Sequence, residues 1–263
     1  MATIFCIANQ KGGVGKTTTT VNLAAGLAKV GQRVLMVDLD PQGNATMGSG
    51  VDKRKLALTI YDVLLESASV AEARVQSAKL MEGGYSYDIV GANRELAGAE
   101  VELVDVERRE KRLKTALAAA ATEYDFILID CPPSLSLLTL NGLCCAHGVI
   151  VPMQCEYFAL EGLTDLVNTI KQVHANLNKE LAIIGLLRVM FDPRITLQQQ
   201  VSEQLKSHFG DKVFNTVIPR NVRLAEAPSY GLPGVVFDPS SKGAQAFVAF
   251  AQEMVERIKK PLA

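Results

Sequence analysis

The sequence has no excess of charge of either sign, no apolar run of transmembrane length and no cysteines at metal-site spacing. Its 27 Lys and Arg residues are matched by 28 Asp and Glu residues, which leaves a formal net charge of −1. A chain with this balance has no overall attraction to nucleic acid or to an anionic membrane. Any binding of DNA must therefore come from a local basic patch. The apolar runs are far shorter than the ~20 residues that span a bilayer.

The cysteines and the N-terminus exclude further classes of protein. The five cysteines show neither C-x-x-C spacing nor a pattern with histidine; they are Cys6, Cys131, Cys144, Cys145 and Cys155. An odd number without such spacing is typical of reduced, buried thiols, and it argues against a metal centre. The first residues read as a strand, with no basic segment before them and no signal-peptide cleavage site after them. We therefore expect a soluble, cytoplasmic protein.

Short β-branched runs alternate with amphipathic helical stretches along the chain. The runs predicted to be strands are Thr3–Ala8, Arg33–Val37, Tyr87–Val90, Phe126–Ile129, Val149–Pro152, Ala182–Val189 and Val213–Val217. Several lack polar alternation, as expected for strands covered on both faces. The pattern predicts an α/β fold with a mostly parallel twisted sheet and helices on both faces. No repeat or linker divides the chain, so we expect one domain over residues 1–263.

A glycine-rich segment follows the first predicted strand and precedes the first predicted helix. It reads Lys11-Gly12-Gly13-Val14-Gly15-Lys16-Thr17-Thr18. Its glycines let successive backbone N–H groups face an anion, and the following helix adds the positive end of its dipole. We expect Lys16 to reach the β- and γ-phosphates of a nucleotide, Thr17 to ligate Mg²⁺ and Thr18 to donate to the α-phosphate. The segment is predicted to bind ATP.

The segment departs from the common phosphate-loop pattern at one position. The residue five before Gly15 is Gln10 instead of glycine, and a second lysine, Lys11, stands directly before the glycines. This departure is the pattern of the deviant Walker A ATPases, Lys-Gly-Gly-x-Gly-Lys-Thr. The alternative interpretation, a glycine-rich turn with incidental lysines, is disfavoured because the glycines, lysines and threonines all fall at the spacing that the motif requires.

Three acidic residues follow apolar strands and supply the carboxylates that hydrolysis needs. Asp38 and Asp40 follow the second predicted strand, and Asp130 closes the fourth. Ligands of open α/β sheets bind at the carboxyl ends of the strands, where these side chains are expected. We assign Asp38 and Asp130 to the Mg²⁺ shell, mainly through water, and Asp40 to positioning the attacking water. Each acid alone is also compatible with a turn or helix cap, and the division between Asp38 and Asp40 stays open.

Three motifs resemble those of the ParA/Soj family of partitioning ATPases, in the same order along the chain. They are Lys-Gly-Gly-Val-Gly-Lys-Thr-Thr, Asp-Leu-Asp-Pro-Gln-Gly-Asn and Ile-Asp-Cys-Pro-Pro, and the similarity continues through residues 152–162 and 218–228. The resemblance implies an ATP-bound dimer in which Lys11 crosses to the partner's nucleotide and takes part in catalysis with Lys16 and Asp40. It also implies that Pro219 and Asn221 border the adenine.

The resemblance further implies partners and a location. ATP-bound dimers of this family bind DNA without sequence preference, and a ParB-type centromere-binding protein stimulates hydrolysis and release. Arg194 and Arg223 match basic positions that the family uses on DNA, and Lys242 is a further candidate without such a match. We expect association with the bacterial nucleoid and no stable membrane association. Because the first strand begins at Thr3, we expect no N-terminal helix-turn-helix extension.

Other functions remain open on the same motifs. A MinD-type ATPase cycles on membranes, and the C-terminal stretch here carries an apolar stripe of Phe247, Phe250, Met254, Val255 and Ile258. Its other face mixes acidic and basic residues, so we expect this helix to pack on the sheet instead of binding a membrane. A redox or metabolic enzyme on this scaffold is a further alternative. The cargo of a partitioning ATPase is also open between a chromosome, a plasmid and another cellular body.

Overall fold

Eight strands form one sheet in the computed structural model, which describes residues 1–259 apart from the side chains of residues 160 and 161. The strands are β1 Thr3–Ile7, β2 Val34–Asp38, β3 Arg74–Gln76, β4 Asp88–Val90, β5 Phe126–Asp130, β6 Gly148–Met153, β7 Ala182–Phe191 and β8 Val213–Pro219. Their order across the sheet is β3-β4-β2-β5-β1-β6-β7-β8. All neighbouring strands are parallel except β3 and β4.

Thirteen α-helices in the described part of the chain connect the strands. They are α1 Lys16–Lys29, α2 Asn44–Gly48, α3 Ile60–Leu64, α4 Val70–Ala73, α5 Ala78–Glu82, α6 Leu96–Glu102, α7 Arg112–Ala120, α8 Leu137–Cys145, α9 Ala159–Asn176, α10 Thr196–Phe209, α11 Val222–Glu226, α12 Gly234–Phe237 and α13 Lys242–Lys259. Three short 3₁₀ turns supplement them at Arg109–Lys111, Gly210–Lys212 and Ala227–Tyr230.

Successive residues of the central strands pack into different cores, one on each face of the sheet. Leu35 and Val37 of β2 belong to a buried cluster with residues of α3 and α6–α10. Val34 and Met36 belong to a second cluster with residues of α1, α12 and α13. Side chains alternate between the two faces of a strand, so helices on both faces bury every position of β2. The predicted fold class is confirmed.

The sheet has one strand that the sequence pattern did not indicate. β3 contains a single apolar residue, Val75, and pairs antiparallel with β4 at the edge of the sheet. Such a short edge strand lacks the apolar run by which the other strands were recognised. β7 and β8 also run further than predicted, to Phe191 and Pro219, and both extensions lead toward the phosphate loop.

The C-terminal helix packs on the sheet, as expected. Phe247, Phe250 and Met254 of α13 are buried in the second core cluster, and Ile258 is 36% exposed. The backbones of α1 and α13 approach closely, because a Cβ at Gly26 would lie 3.1 Å from the Ala251 Cβ. Within residues 1–259, no helix combines the length and apolar character that crossing a membrane requires. All five cysteines are buried and free of disulfide bonds, in agreement with the prediction.

Candidate nucleotide-binding site

The phosphate loop joins β1 to α1 at the carboxyl edge of the sheet. Gly13 and Gly15 have φ angles of 72° and 76°, in the left-handed region that side-chain-bearing residues disfavour. Gly15 precedes the first turn of α1, where the backbone N–H groups have no partner within the helix. The bend therefore leaves donors at the helix N-terminus for an anion.

Lys16 is the charged residue of this loop that the fold encloses. Its side chain belongs to a residue only 8% exposed, and its Nζ donates to the carbonyl oxygen of Lys11 at 3.1 Å. Burial lowers the pKa of Lys16, while the carboxylates of Asp130 and Asp40 act in the opposite direction. The ammonium is thus directed along the loop, with negative charge nearby.

Asp130 connects the phosphate loop to the carboxyl ends of the strands. It is the last residue of β5 and lies in register with Ile7 and Asp38 on the neighbouring strands. Its two carboxylate oxygens accept hydrogen bonds of 2.8 Å from the hydroxyls of Thr17 and Thr20. Complete burial is the main cause that raises the pKa of Asp130, and the charge of Asp38 adds to it.

Asp38 is equally buried and more completely hydrogen-bonded. Its Oδ2 accepts from the Thr46 backbone N–H at 2.8 Å and from the Thr46 hydroxyl at 2.7 Å, and its Oδ1 accepts from Asp40 N at 3.1 Å. Burial raises the pKa of Asp38 although these bonds oppose the shift. Because its oxygens are occupied by protein donors, Asp38 suits contact with a cation through water. Asp40 is half-buried, and its Oδ1 accepts from Gln42 N at 2.9 Å.

The oxygen donors of the site fit Mg²⁺ in a nucleotide complex. Among the described residues, no group of three His, Cys, Asp or Glu side chains converges to hold a metal ion. Thr17 and Asp130 instead present a hydroxyl and a carboxylate that already lie within 2.8 Å of each other. Mg²⁺ is commonly held by one or two such side chains together with phosphate oxygens and water. The site therefore suits a metal that arrives with a triphosphate.

Two cavities flank the start of α1. One of about 160 Å³ is lined by residues of the loop and of the strand ends, among them Gly15, Thr18, Met190, Pro219 and Asn221. Pro219 and Asn221, which are predicted to border the adenine, thus lie beside the phosphate loop, where the carboxyl ends of β7 and β8 meet it. The other, of about 450 Å³, lies between α1 and α2 and includes Thr17 in its lining. No motif indicated Met190, because only the pairing of β7 in the sheet brings it here.

Comparison with known proteins agrees with this arrangement. A family model described as an AAA domain matches residues 2–183. The sporulation initiation inhibitor protein Soj of Bacillus subtilis is 52% identical over 254 residues, which cover 97% of this chain and 98% of Soj. The chromosome partitioning protein ParA of Caulobacter vibrioides is 47% identical over 256 residues, which cover 97% of this chain and 94% of ParA. The chain belongs to the ParA/Soj family of chromosome-partitioning ATPases. The resemblance indicated by the motifs is confirmed.

Solved structures share the fold of this ParA/Soj chain. Cobyrinic acid a,c-diamide synthase of Mycobacterium smegmatis, with bound ADP and magnesium, has a TM-score of 0.85 at 38% identity and covers 99% of this chain and 96% of its own. The cell division ATPase MinD of Pyrococcus furiosus has a TM-score of 0.77 at 27% identity and covers 97% and 99%. One fold serves several functions, so these likenesses support the architecture more strongly than any one reaction.

The second lysine of the ParA/Soj loop points to a surface residue of the same chain. The Lys11 Nζ lies 2.6 Å from the Glu156 Oε2, and both side chains are about half exposed, at 51% and 46%. Glu156 follows β6 by three residues, so this ion pair joins the loop to the segment between β6 and α9. Sequence reasoning did not identify Glu156, since the contact spans 145 positions of the chain.

The basic residues predicted to contact DNA lie at the same edge of the sheet, although each arginine already has carboxylate partners. Arg194 follows β7 and makes bonds of 2.9 and 2.7 Å to Asp192. Arg223 of α11 lies 2.9 Å from Glu226 and 3.3 Å from Asp238. Lys242 begins α13, and its neighbour Gly243 lies against α11, where an added Cβ would meet Leu224. The exposed Arg220, absent from the prediction, lines the smaller cavity.

Proposed function

We propose that this chain is a Mg²⁺-dependent ATPase that partitions DNA, with residues 1–263 acting as one domain. ATP binding brings two copies together, the dimer binds DNA without sequence preference, and a ParB-type centromere-binding protein stimulates hydrolysis and release. The cycle takes place on the nucleoid in the bacterial cytoplasm. The observation that carries the proposal is the convergence of Lys16, Thr17 and Asp130 beside Asp38 and Asp40 at one edge of the sheet.

Each polar group of the site has a role that its position supports. Loop amides and Lys16 hold the phosphates, while Thr17 and Asp130, with Asp38 through water, hold the metal. Mg²⁺ held by these residues would supply positive charge that offsets the negative charge of the phosphoryl oxygens. Asp40 orients the attacking water, for which its half-buried carboxylate at the mouth of the site is suited. Pro219 and Asn221 border the adenine in the smaller cavity.

In the proposed dimer, the Lys11 side chain reaches the nucleotide of the partner subunit, so it must first break its ion pair with Glu156. The Lys11–Glu156 pair is half exposed on both sides, and such surface pairs contribute only ~0–1 kcal/mol. The lysine is therefore free to exchange Glu156 for the phosphates of a second subunit at little energetic cost. This exposure supports the assignment of Lys11 to the partner's nucleotide.

The basic residues at the carboxyl edge support a DNA contact. Arg194, Arg223 and Lys242 are exposed and lie at the ends of β7, β8 and the start of α13. DNA phosphates would have to compete with Asp192, Glu226 and Asp238 for the two arginines. Affinity per subunit is then small and falls steeply with salt, so pairing two subunits on one duplex favours the ATP-bound dimer.

DNA retention measured with ATP, with ADP and without nucleotide tests the proposal. We expect retention with ATP alone, and equal retention in all three conditions would contradict it. Co-sedimentation with anionic liposomes in ATP distinguishes the membrane-cycling alternative. The burial of Phe247, Phe250 and Met254 argues against α13 as a membrane-binding helix.

A further inference from the structure

Gln154 contacts the phosphate loop, yet none of the roles above uses it. It directly follows β6, and its Nε2 lies 3.1 Å from the carbonyl oxygen of Gly13 and 3.3 Å from the Met190 Sδ. The side chain is half-buried. One amide group therefore reaches both the tip of the loop and a residue that lines the smaller cavity.

The two glycines at the tip of the loop have open space around them. Gly12 and Gly13 are exposed, and a Cβ added at either glycine would meet nothing within 4 Å. Gly13 also has the left-handed φ of 72°. The next residue, Val14, is buried at 2% exposure, while the Gly13 carbonyl that precedes it is held by the bond from Gln154.

The bond from Gln154 sets the direction of a neighbouring donor. The Gly13 carbonyl and the Val14 N–H belong to one planar peptide unit and point in opposite directions. A donor that holds the carbonyl oxygen toward Gln154 thus turns the Val14 N–H to the side away from Gln154. Loop N–H groups of this kind are the ones that cradle the α- and β-phosphates of a nucleotide.

The contact with Met190 is the weaker of the two. A thioether sulfur is a poor acceptor compared with a carbonyl oxygen. Met190 has a φ of 51°, unusual for a residue with a side chain, and its Cε lies 3.8 Å from the position of a Gly15 Cβ. The Gly13 carbonyl is therefore the main acceptor of the Gln154 amide, and Met190 lies beside this bond.

We infer that Gln154 is a positioning residue of the nucleotide site, which holds the Gly13–Val14 peptide with its N–H facing the β-phosphate. The inference rests on the proposed ATP-binding function and names a residue on which that function depends. The bond to phosphate is present in both the bound substrate and the transition state. Loss of Gln154 therefore raises KM and leaves kcat nearly unchanged.

Gln154→Leu removes the amide while keeping side-chain carbons out to Cδ, and Gln154→Glu replaces the donor with an acceptor. For Gln154→Leu we expect KM for ATP and Kd for ADP to rise about three- to tenfold, the range for one neutral hydrogen bond. Gln154→Glu should raise both further, because its charge also faces the phosphates. The affinity of Gln154→Leu for AMP, which lacks the β-phosphate, should stay within about twofold of the unsubstituted protein.

Gln252→Leu, at an exposed position of α13, is the matched control for both variants. Thermal unfolding without nucleotide should give the same midpoint for all four proteins. Unchanged ADP affinity in both Gln154 variants would overturn the inference. Equal losses of affinity for AMP and ADP would also overturn it, because the affected contact would then be one that both nucleotides share, away from the β-phosphate. Failure of the unsubstituted protein to bind ATP would overturn the proposed function itself, and the inference with it.

Discussion

Three buried charged residues, Lys16, Asp38 and Asp130, set the chemistry of the site. Removing a charge from water is costly unless opposite charges or hydrogen bonds compensate. Here Thr17 and Thr20 donate to Asp130, and Thr46 donates to Asp38, but these neutral donors compensate only part of the burial. A magnesium nucleotide would complete the compensation, and this gives the site an electrostatic reason to bind one.

Lys16→Ala should abolish ATP binding, because no other buried cation of the loop faces the phosphates. We expect the affinity for ATP to fall by about two orders of magnitude or more, given that hydrogen bonds to charged groups are worth ~1.5–3 kcal/mol and the charge is lost as well. Isothermal titration calorimetry measures the change. Lys29→Ala, at the exposed last turn of the same helix, serves as the control. Normal ATP turnover by the Lys16 variant would refute the phosphate-loop assignment.

The raised pKa of Asp130 predicts a pH dependence of stability in the absence of nucleotide and magnesium. The folded state binds the proton more tightly than the unfolded chain, whose aspartates titrate near pH ~3.9. The protonated Asp130 therefore contributes its full amount to the free energy of unfolding below pH ~3.9. This contribution is lost as the pH rises through the raised pKa of Asp130 in the folded state. We expect the free energy of unfolding in urea to fall between pH 5 and pH 8 by ~1 kcal/mol more than in Asp130→Asn. Equal slopes for the two proteins would contradict this expectation.

At the scale of elements, the carboxyl ends of parallel strands bring distant segments of the chain together. β1 leads into the phosphate loop, β2 and β5 end in the acidic residues, and β7 and β8 end beside the smaller cavity. The basic residues follow the same two strands. The proposed nucleotide and DNA contacts therefore lie along one edge of the sheet, which suits coupling between them.

Arg223→Glu tests the DNA contact at this edge. The variant should bind ATP normally, while its DNA affinity in ATP falls about tenfold or more and the slope of log K against log salt decreases by ~1. Filter binding across a salt series provides both values. Arg33→Glu is the matched control, since Arg33 is also exposed and paired with a carboxylate, Asp125, but precedes β2 at the opposite edge. Equal retention by the two variants would remove Arg223 from the interface.

At the scale of the whole molecule, the proposed cycle depends on two copies that associate only while ATP is intact. Asp40→Ala should bind ATP but hydrolyse it at least about 100-fold more slowly, the lower range for loss of a group that activates water. The dimer would then accumulate. Size-exclusion chromatography in ATP should show twice the 28.4 kDa monomer mass for this variant. A persistent monomer that retains bound ATP would count against the proposed dimer.

Most of the fold and the centre of the site follow from local sequence. Short apolar, β-branched runs predicted seven of the strands, because strands covered on both faces are rich in such residues. The glycine and lysine spacing predicted the loop, and the acids at the strand ends predicted the carboxylates beside it. β3 escaped recognition because a three-residue edge strand buries too little to require an apolar run.

The amino-acid sequence by itself determined the phosphate loop, the carboxylates and the family, since each depends on neighbouring residues whose spacing the backbone converts directly into geometry. Only the tertiary structure decided which distant groups contact the loop. Gln154 reaches Gly13 across 141 positions and Glu156 reaches Lys11 across 145. Such contacts arise from the order of strands in the sheet, which places β6 beside β1, and no local pattern in the chain encodes that neighbourhood.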